Sequence, residues 1–201
     1  MKWRLFHGFL TFAAMMLPAS AGVRYWRKAD GGNGHGYEVV MFGKTTFRTT
    51  WDRARKLAEQ RGGYLATVTS KEENDFILKL IKKRKYWHYL RDGYLKRDFW
   101  DGPWIGGYQV ERGKEPGGGW KWLTGEPFSF DGWYPGLPDD GFGGQFEQNC
   151  MHYWASGRVK AFKNIDPKWD DVGYWTYWIP SFVVEYEPKP TAAEFFTWPP
   201  R

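Results

Sequence analysis

Three kinds of residue in this 201-residue chain have side chains able to bind or react. They are carboxylates in the second half, aromatics crowded into one Gly- and Pro-rich stretch, and a lone cysteine. Their spacing does not set up a reaction. His35, His88 and His152 are scattered, and neither G-x-S-x-G nor H-E-x-x-H occurs. Gly113-Lys114 is followed by Glu115 and lacks P-loop spacing. Asp170 and Asp171 are neighbours whose side chains diverge on an extended strand, a poor arrangement for a glycosidase pair. Cys150 has no base beside it in sequence, and a thiol nucleophile needs one in space. The chain is therefore read as non-catalytic. Trp133, Tyr134 and Phe142 offer binding chemistry instead, because exposed rings stack on sugar faces or anchor protein interfaces. The competing reading of Trp133 is a core for its own loop.

These residues need a frame. Tyr37 to Phe42 reads as a strand, and Thr49 with Asp52 as a capping pair opening a helix. Trp51, Ala54, Leu57 and Ala58 share that helix's apolar face, and Gly62-Gly63 stops it. Ser70-Lys71-Glu72-Glu73 is a capping box for a second helix, with Phe76, Ile77, Leu80 and Ile81 inward. From Lys82 to Pro103 basic and aromatic residues interleave without a period. That insert reads either as a grip for an anionic polymer or as a solvated extension of the second helix. Strands are expected over 104–108, 120–123, 150–154 and 182–186, with Trp169-Asp170-Asp171 at a turn. A loop rich in Gly, Pro and Asp runs from Thr124 to Phe146, and an ordered loop of that length usually carries function.

Composition agrees with many short strands and long loops. Aromatic residues make up 20% of the chain, with 25 Gly and 12 Pro, while 26% charged residues argue against wholesale disorder. Lys2 and Arg4 precede an apolar run from Leu5 to Leu17 and then Ala19-Ser20-Ala21, the pattern of a cleaved signal peptide over 1–21. Its removal takes two positive charges from the formal +6, leaving +4, too small a surplus to argue for nucleic acid. The expected location is secreted or periplasmic, with no membrane span after cleavage. One cysteine excludes an intrachain disulfide and a Cys-based zinc site. No Asn carries an N-x-S/T sequon. Both facts fit a bacterial exported protein better than an animal one.

The order of the pieces resembles the C-type-lectin-like family across residues 37–187. Trp51-x-x-Ala54, Gly63 to Val68 and Glu73-Asn74 look like its first half, and Trp104-Ile105-Gly106-Gly107 like its W-I-G-L core strand. Trp120-x-Trp122-x-x-Gly125-Glu126-Pro127 and Trp133-x-x-Gly136-x-Pro138-Asp139 look like its long-loop region. Trp169-Asp170-Asp171 matches its W-N-D element, and Phe182 to Glu185 its closing strand. The resemblance implies an α+β domain with two helices flanking small antiparallel sheets and a long ordered loop. Residues 22–36 are then a flexible lead-in and 188–201 a Pro-rich tail. The family's outer disulfide falls on Ala58 and Val184, and its inner one joins Cys150 to the position of Tyr174, so both bonds are lost.

In sugar-binding members of that family a calcium ion bridges the long loop and the W-N-D strand, and sugar hydroxyls complete its oxygen shell. Carried over position by position, the resemblance implies Asp139, Glu147, Gln148, Asp170 and Asp171 as metal ligands. With Asp140, Tyr134 and Phe142 added, Asp139, Gln148, Asp170 and Asp171 also form the implied ligand-binding surface. Leu137 removes one expected ligand where sugar also makes contact, and Pro138 takes the place of the family's cis proline. The expected function is recognition of a glycan, with or without calcium. The alternative is a calcium-independent module binding an extracellular protein through the aromatic face of the loop.

Overall fold

The computed structural model describes residues 22–43, 49–93, 96–110, 116–141, 147–157 and 161–188. The signal segment, Phe142 and the tail beyond residue 188 lie outside them. Two helices, α1 (Trp51–Gln60) and α2 (Lys71–Ile81), and nine strands are present among the described residues. The strands are β1 (Arg24–Tyr25), β2 (Gly36–Met41), β3 (Tyr64–Leu65), β4 (His88–Asp92), β5 (Arg97–Gln109), β6 (Trp120–Trp122), β7 (Cys150–Gly157), β8 (Lys168–Val172) and β9 (Ser181–Tyr186).

They join in one mixed sheet in the order β1-β2-β9-β5-β7-β8, with β3 added to β9 and β4 and β6 added to β5. All pairings are antiparallel except the contact of β5 with β9 at Trp104 and Phe182. Alternation along β9 sends Val183 into one apolar cluster and Phe182 and Val184 into another. The first cluster holds Ile77 and Ile81 of α2, and the second Trp51, Ala54 and Ala58 of α1. Each fully buried Ile or Val contributes about 1.5–3 kcal/mol. Ala58 and Val184 are both fully buried in that second cluster.

The start of α2 follows the expected chemistry, while the start of α1 does not. Ser70 accepts the Glu73 amide at 3.1 Å and caps α2. At α1 the capping residue is Thr50, without a side-chain cap bond, because the Thr49 hydroxyl donates to the Tyr177 carbonyl instead. Gly62, at φ +79°, closes α1 in the left-handed region as its glycines predict.

Three local expectations differ. Residues 82–103 are not an extension of the second helix. After a 3-10 turn at Arg84–Tyr86 they form the β4–β5 hairpin, because Trp87 and Trp100 bury inward while Leu90 and Arg91 face solvent. Trp169-Asp170-Asp171 lies in strand β8, paired to β7 from Cys150↔Val172 to Trp154↔Lys168, and not at a turn. Residues 22–36 hold β1 and a 3-10 turn, and they are bonded to the core. Asn33 donates to Glu73 at 3.0 Å, and His35 pairs with Glu185 at 2.5 Å.

Candidate functional site at the long loop

The long loop is ordered because it carries its own aromatic core. Trp133 meets Trp120 at 4.7 Å and Trp169 at 6.0 Å, while Phe128 and Phe130 pack on Trp122 and Trp169. Trp133 is therefore loop core. Gly132 lies so close to the Trp169 ring that a Cβ there would sit 2.5 Å from it. That closeness lets Trp169 donate its amide to the Gly132 carbonyl at 2.8 Å and accept from Tyr134 at 2.9 Å.

Beyond this core the chain turns back through Tyr134, whose carbonyl accepts the Leu137 amide at 2.9 Å, and through a cis Leu137–Pro138 bond. The Asp171 carboxylate then fastens the loop to β8. It accepts the Asp139 amide at 3.1 Å and the Asp140 amide at 2.9 Å. Asp139 accepts from Gly141 at 3.0 Å, and Asp140 from Gln148 at 2.7 Å. Asp140 sits at φ +53°, a left-handed conformation that Asp tolerates better than most residues.

The structure thus brings Asp139, Asp140, Gln148 and Asp171 together where the loop meets β8, while Tyr134, at the start of the same turn, packs toward Trp169 and Trp154. Glu147 is exposed beside Gln148. Asp170 leaves β8 on the opposite side from Asp171 and faces His152 Nε2 at 3.4 Å. Burial dominates the electrostatics here. It pushes the Asp171 carboxyl up to about 7, reinforced by Asp170 and opposed by the loop amides. It raises Asp170 well above the usual carboxylate range, reinforced by Asp139. Burial also lowers His152, which favours the neutral imidazole.

The oxygens at this end have the chemistry of a hard-cation site but not its geometry. Calcium takes 6–8 oxygens around one centre. Leu137 brings none, both Asp171 oxygens accept loop amides, and Asp139 and Asp140 each turn one oxygen onto a loop amide. No group of three or more His, Cys, Asp or Glu among the described residues is placed to hold a metal ion. Of the residues implied as a calcium cage, Asp139, Asp171 and the Gln148 amide close the loop on itself, whereas Asp170 faces His152 and Glu147 is exposed.

Two features were not anticipated from sequence. The Asp101 carboxylate accepts Trp178 Nε1 at 2.6 Å and is pushed up to about 6 by burial. Following Gly173, Tyr174, Trp175, Tyr177 and Trp178 are 62%, 49%, 60% and 37% exposed, while Thr176 among them and Ile179 after them are fully buried anchors. Four rings in five residues cannot all reach one core, and that density was the signal available in the sequence.

The lectin C-type domain profile matches residues 47–171, more than half of the chain. C-type lectin domain family 10 member A of Homo sapiens is 28% identical over 115 residues, covering 54% of this chain and 28% of that protein. The perlucin-like protein of Mytilus galloprovincialis is 24% identical over 126 residues, covering 61% of each. The chain therefore spans less than two thirds of either relative. Among solved structures, SPL-1 in complex with GlcNAc superposes at a TM-score of 0.53 with 23% identity, covering 83% of this chain and 93% of that one.

Proposed function

Because this chain belongs to the C-type lectin domain family, whose members are non-catalytic recognition modules, we propose that it recognises saccharides with the long-loop end of its sheet. The observation that carries the reading is the rigid presentation of Tyr134, Asp139 and Gln148. All three are half-exposed on a loop anchored by Asp171 and by an aromatic core. Carboxylate and amide groups beside a ring edge suit a ligand with hydroxyls around an apolar ring. The GlcNAc complex of a fold neighbour supports the same ligand class.

The family commonly binds calcium, yet both Asp171 oxygens here face loop amides and Leu137 supplies none. Recognition accordingly runs on the chain's own hydrogen-bonding groups, without a bridging ion. Export remains part of the proposal through the pattern of residues 1–21, and no helix among the described residues is long and apolar enough to cross a membrane.

The test is binding of the full chain to mono- and oligosaccharides of mannose, galactose and N-acetylglucosamine, in chelator and in calcium. Saccharide binding of equal strength in both, lost in Asp139→Ala, supports the reading. Binding abolished by chelator rejects the ion-free part of it.

A second reading rests on the exposed ring cluster Tyr174–Trp178. Its buried anchors hold two Tyr and two Trp side chains toward solvent, the composition of a protein-binding hot spot. No saccharide binding by wild type, together with a protein ligand whose capture is lost in Trp175→Ala, would favour it.

A further inference from the structure

A cleft of about 150 Å³ opens next to Tyr134, on the side away from Asp139 in sequence. It owes its existence to the 82–103 insert. The insert lengthens β5 backward from Trp104 to Arg97, and β7 follows it through Asp101↔Trp154, Trp100↔Ala155, Phe99↔Ser156 and Asp98↔Gly157. The added sheet forms the floor, and the segment around the 3-10 turn Phe162–Asn164 forms the far wall.

We infer that this cleft is a second saccharide subsite, so that the ligand is an oligosaccharide spanning at least two rings. The inference rests on the saccharide reading above and deepens it. Three observations carry it. The floor is apolar and fixed. Trp100, 3% exposed and held by Tyr89 at 4.6 Å, by Phe162 at 5.4 Å and by the Arg84 guanidinium 4.5 Å over its ring, backs the floor with Ala155, while Ile165 and Tyr134 give its open apolar surface. The rim is polar and uncharged overall. It offers the Ser156 hydroxyl, the Asn164 amide and the Asp166 carboxylate, and Asp166 is already paired with Lys168 at 3.5 Å.

An apolar floor under hydroxyl-, amide- and carboxylate-bearing walls matches a pyranose, which has C–H faces and hydroxyls at its edge. Among the described residues no Lys or Arg lines the cleft. The volume is about five times the roughly 30 Å³ share of one water, enough for one small ring and too little for a drug-sized ligand.

The third observation is continuity. Tyr134 lines the cleft edge-on to Trp154 at 4.9 Å, and its carbonyl holds the turn that delivers Leu137, Pro138 and Asp139. One aromatic side chain therefore borders both the loop site and the cleft.

The experiment compares mono- and trisaccharides of mannose, galactose and N-acetylglucosamine by titration calorimetry on the full chain. The double variant Asn164→Ala/Asp166→Ala strips the rim, and Ser156→Phe fills the cleft. Unchanged thermal melting shows that each variant folds. Wild type is expected to bind a trisaccharide at least about tenfold more tightly than its monosaccharide. Both variants should lose that margin while keeping monosaccharide affinity. A wild type indifferent to chain length, or folded variants that keep the margin, overturns the subsite alone. A wild type that binds no saccharide of any length overturns the parent reading, and the subsite falls with it.

Discussion

Asp171 and Asp140 are joined by a 2.9 Å bond in which the carboxylate of the first accepts the backbone amide of the second, across 31 residues of sequence. With the matching bond from Asp139, it makes one side chain of β8 the fastening of the long loop. Truncating Asp171→Ala leaves two amides without their acceptor, at roughly 1–3 kcal/mol for each that stays buried. Urea unfolding should show a loss of about 2–4 kcal/mol. Hydrogen exchange at the Asp139 and Asp140 amides should accelerate. A loss under about 0.5 kcal/mol, the size of an ordinary surface substitution, would mean the loop is held by its aromatic core alone.

That core makes its own prediction through Gly132. A Cβ there would meet the Trp169 ring at 2.5 Å, and the ring cannot withdraw because Trp122, Phe130 and Trp133 surround it. Gly132→Ala should cost about 1–3 kcal/mol by overpacking and weaken saccharide binding by displacing Tyr134. A variant melting with wild type would show that the loop backbone shifts at little cost.

His35 supplies a pH dependence whose direction is fixed. Its hydrogen bond to Glu185 raises its pKa above the ordinary value of 6.5, while burial raises Glu185 itself. The other groups facing this pair are Glu73, Glu187, Tyr37 and the Thr67 amide. A histidine raised in the folded state adds stability that is fully present below about pH 6.5 and is lost as pH rises through the folded value. Wild type should therefore exceed His35→Gln in stability at about pH 5.5, with the gap narrowing by about pH 8.5. Denaturant unfolding at the two pH values checks it. A gap that widens with pH would reverse the assignment.

Cys150 should behave as an inert core residue. It is buried among Trp104, Val172 and Phe182, and burial pushes its thiol far above the usual range, so almost no thiolate exists at neutral pH. A thiol reagent should label the native chain only on the timescale of unfolding and the urea-unfolded chain at once. Rapid native labelling would place Cys150 at an accessible surface.

Much of the frame was legible because local chemistry and tertiary packing agree. Ser70 caps α2 as its sequence says, and Ile77 and Ile81 bury at the helical period. The strand over Phe182 to Tyr186 shows itself by its run of aromatic and β-branched residues, and its two faces meet the two helices. The insert was opaque because β4 is an edge hairpin whose partner residues alternate between Arg, Asp and aromatics, a pattern with no apolar period. Asp170 and Asp171 read as a turn because Asp is common in turns. Their strand is imposed by pairing with β7, which no local signal reports. Of the site, Asp139, Asp140, Gln148 and Asp171 do come together, but the carboxylates are directed by loop amides that sequence cannot orient. Phe142 lies outside the described residues.

The central claim is that this domain binds saccharides through the long-loop end using its own side chains. The most direct measurement is titration of the full chain with mannose-, galactose- and N-acetylglucosamine-based trisaccharides in excess chelator, repeated with Asp139→Ala. The account predicts saturable binding to at least one of them that calcium does not strengthen and that Asp139→Ala weakens about tenfold or more, the loss of roughly 1.4 kcal/mol. Binding seen only when calcium is restored, or none under either condition, would contradict it.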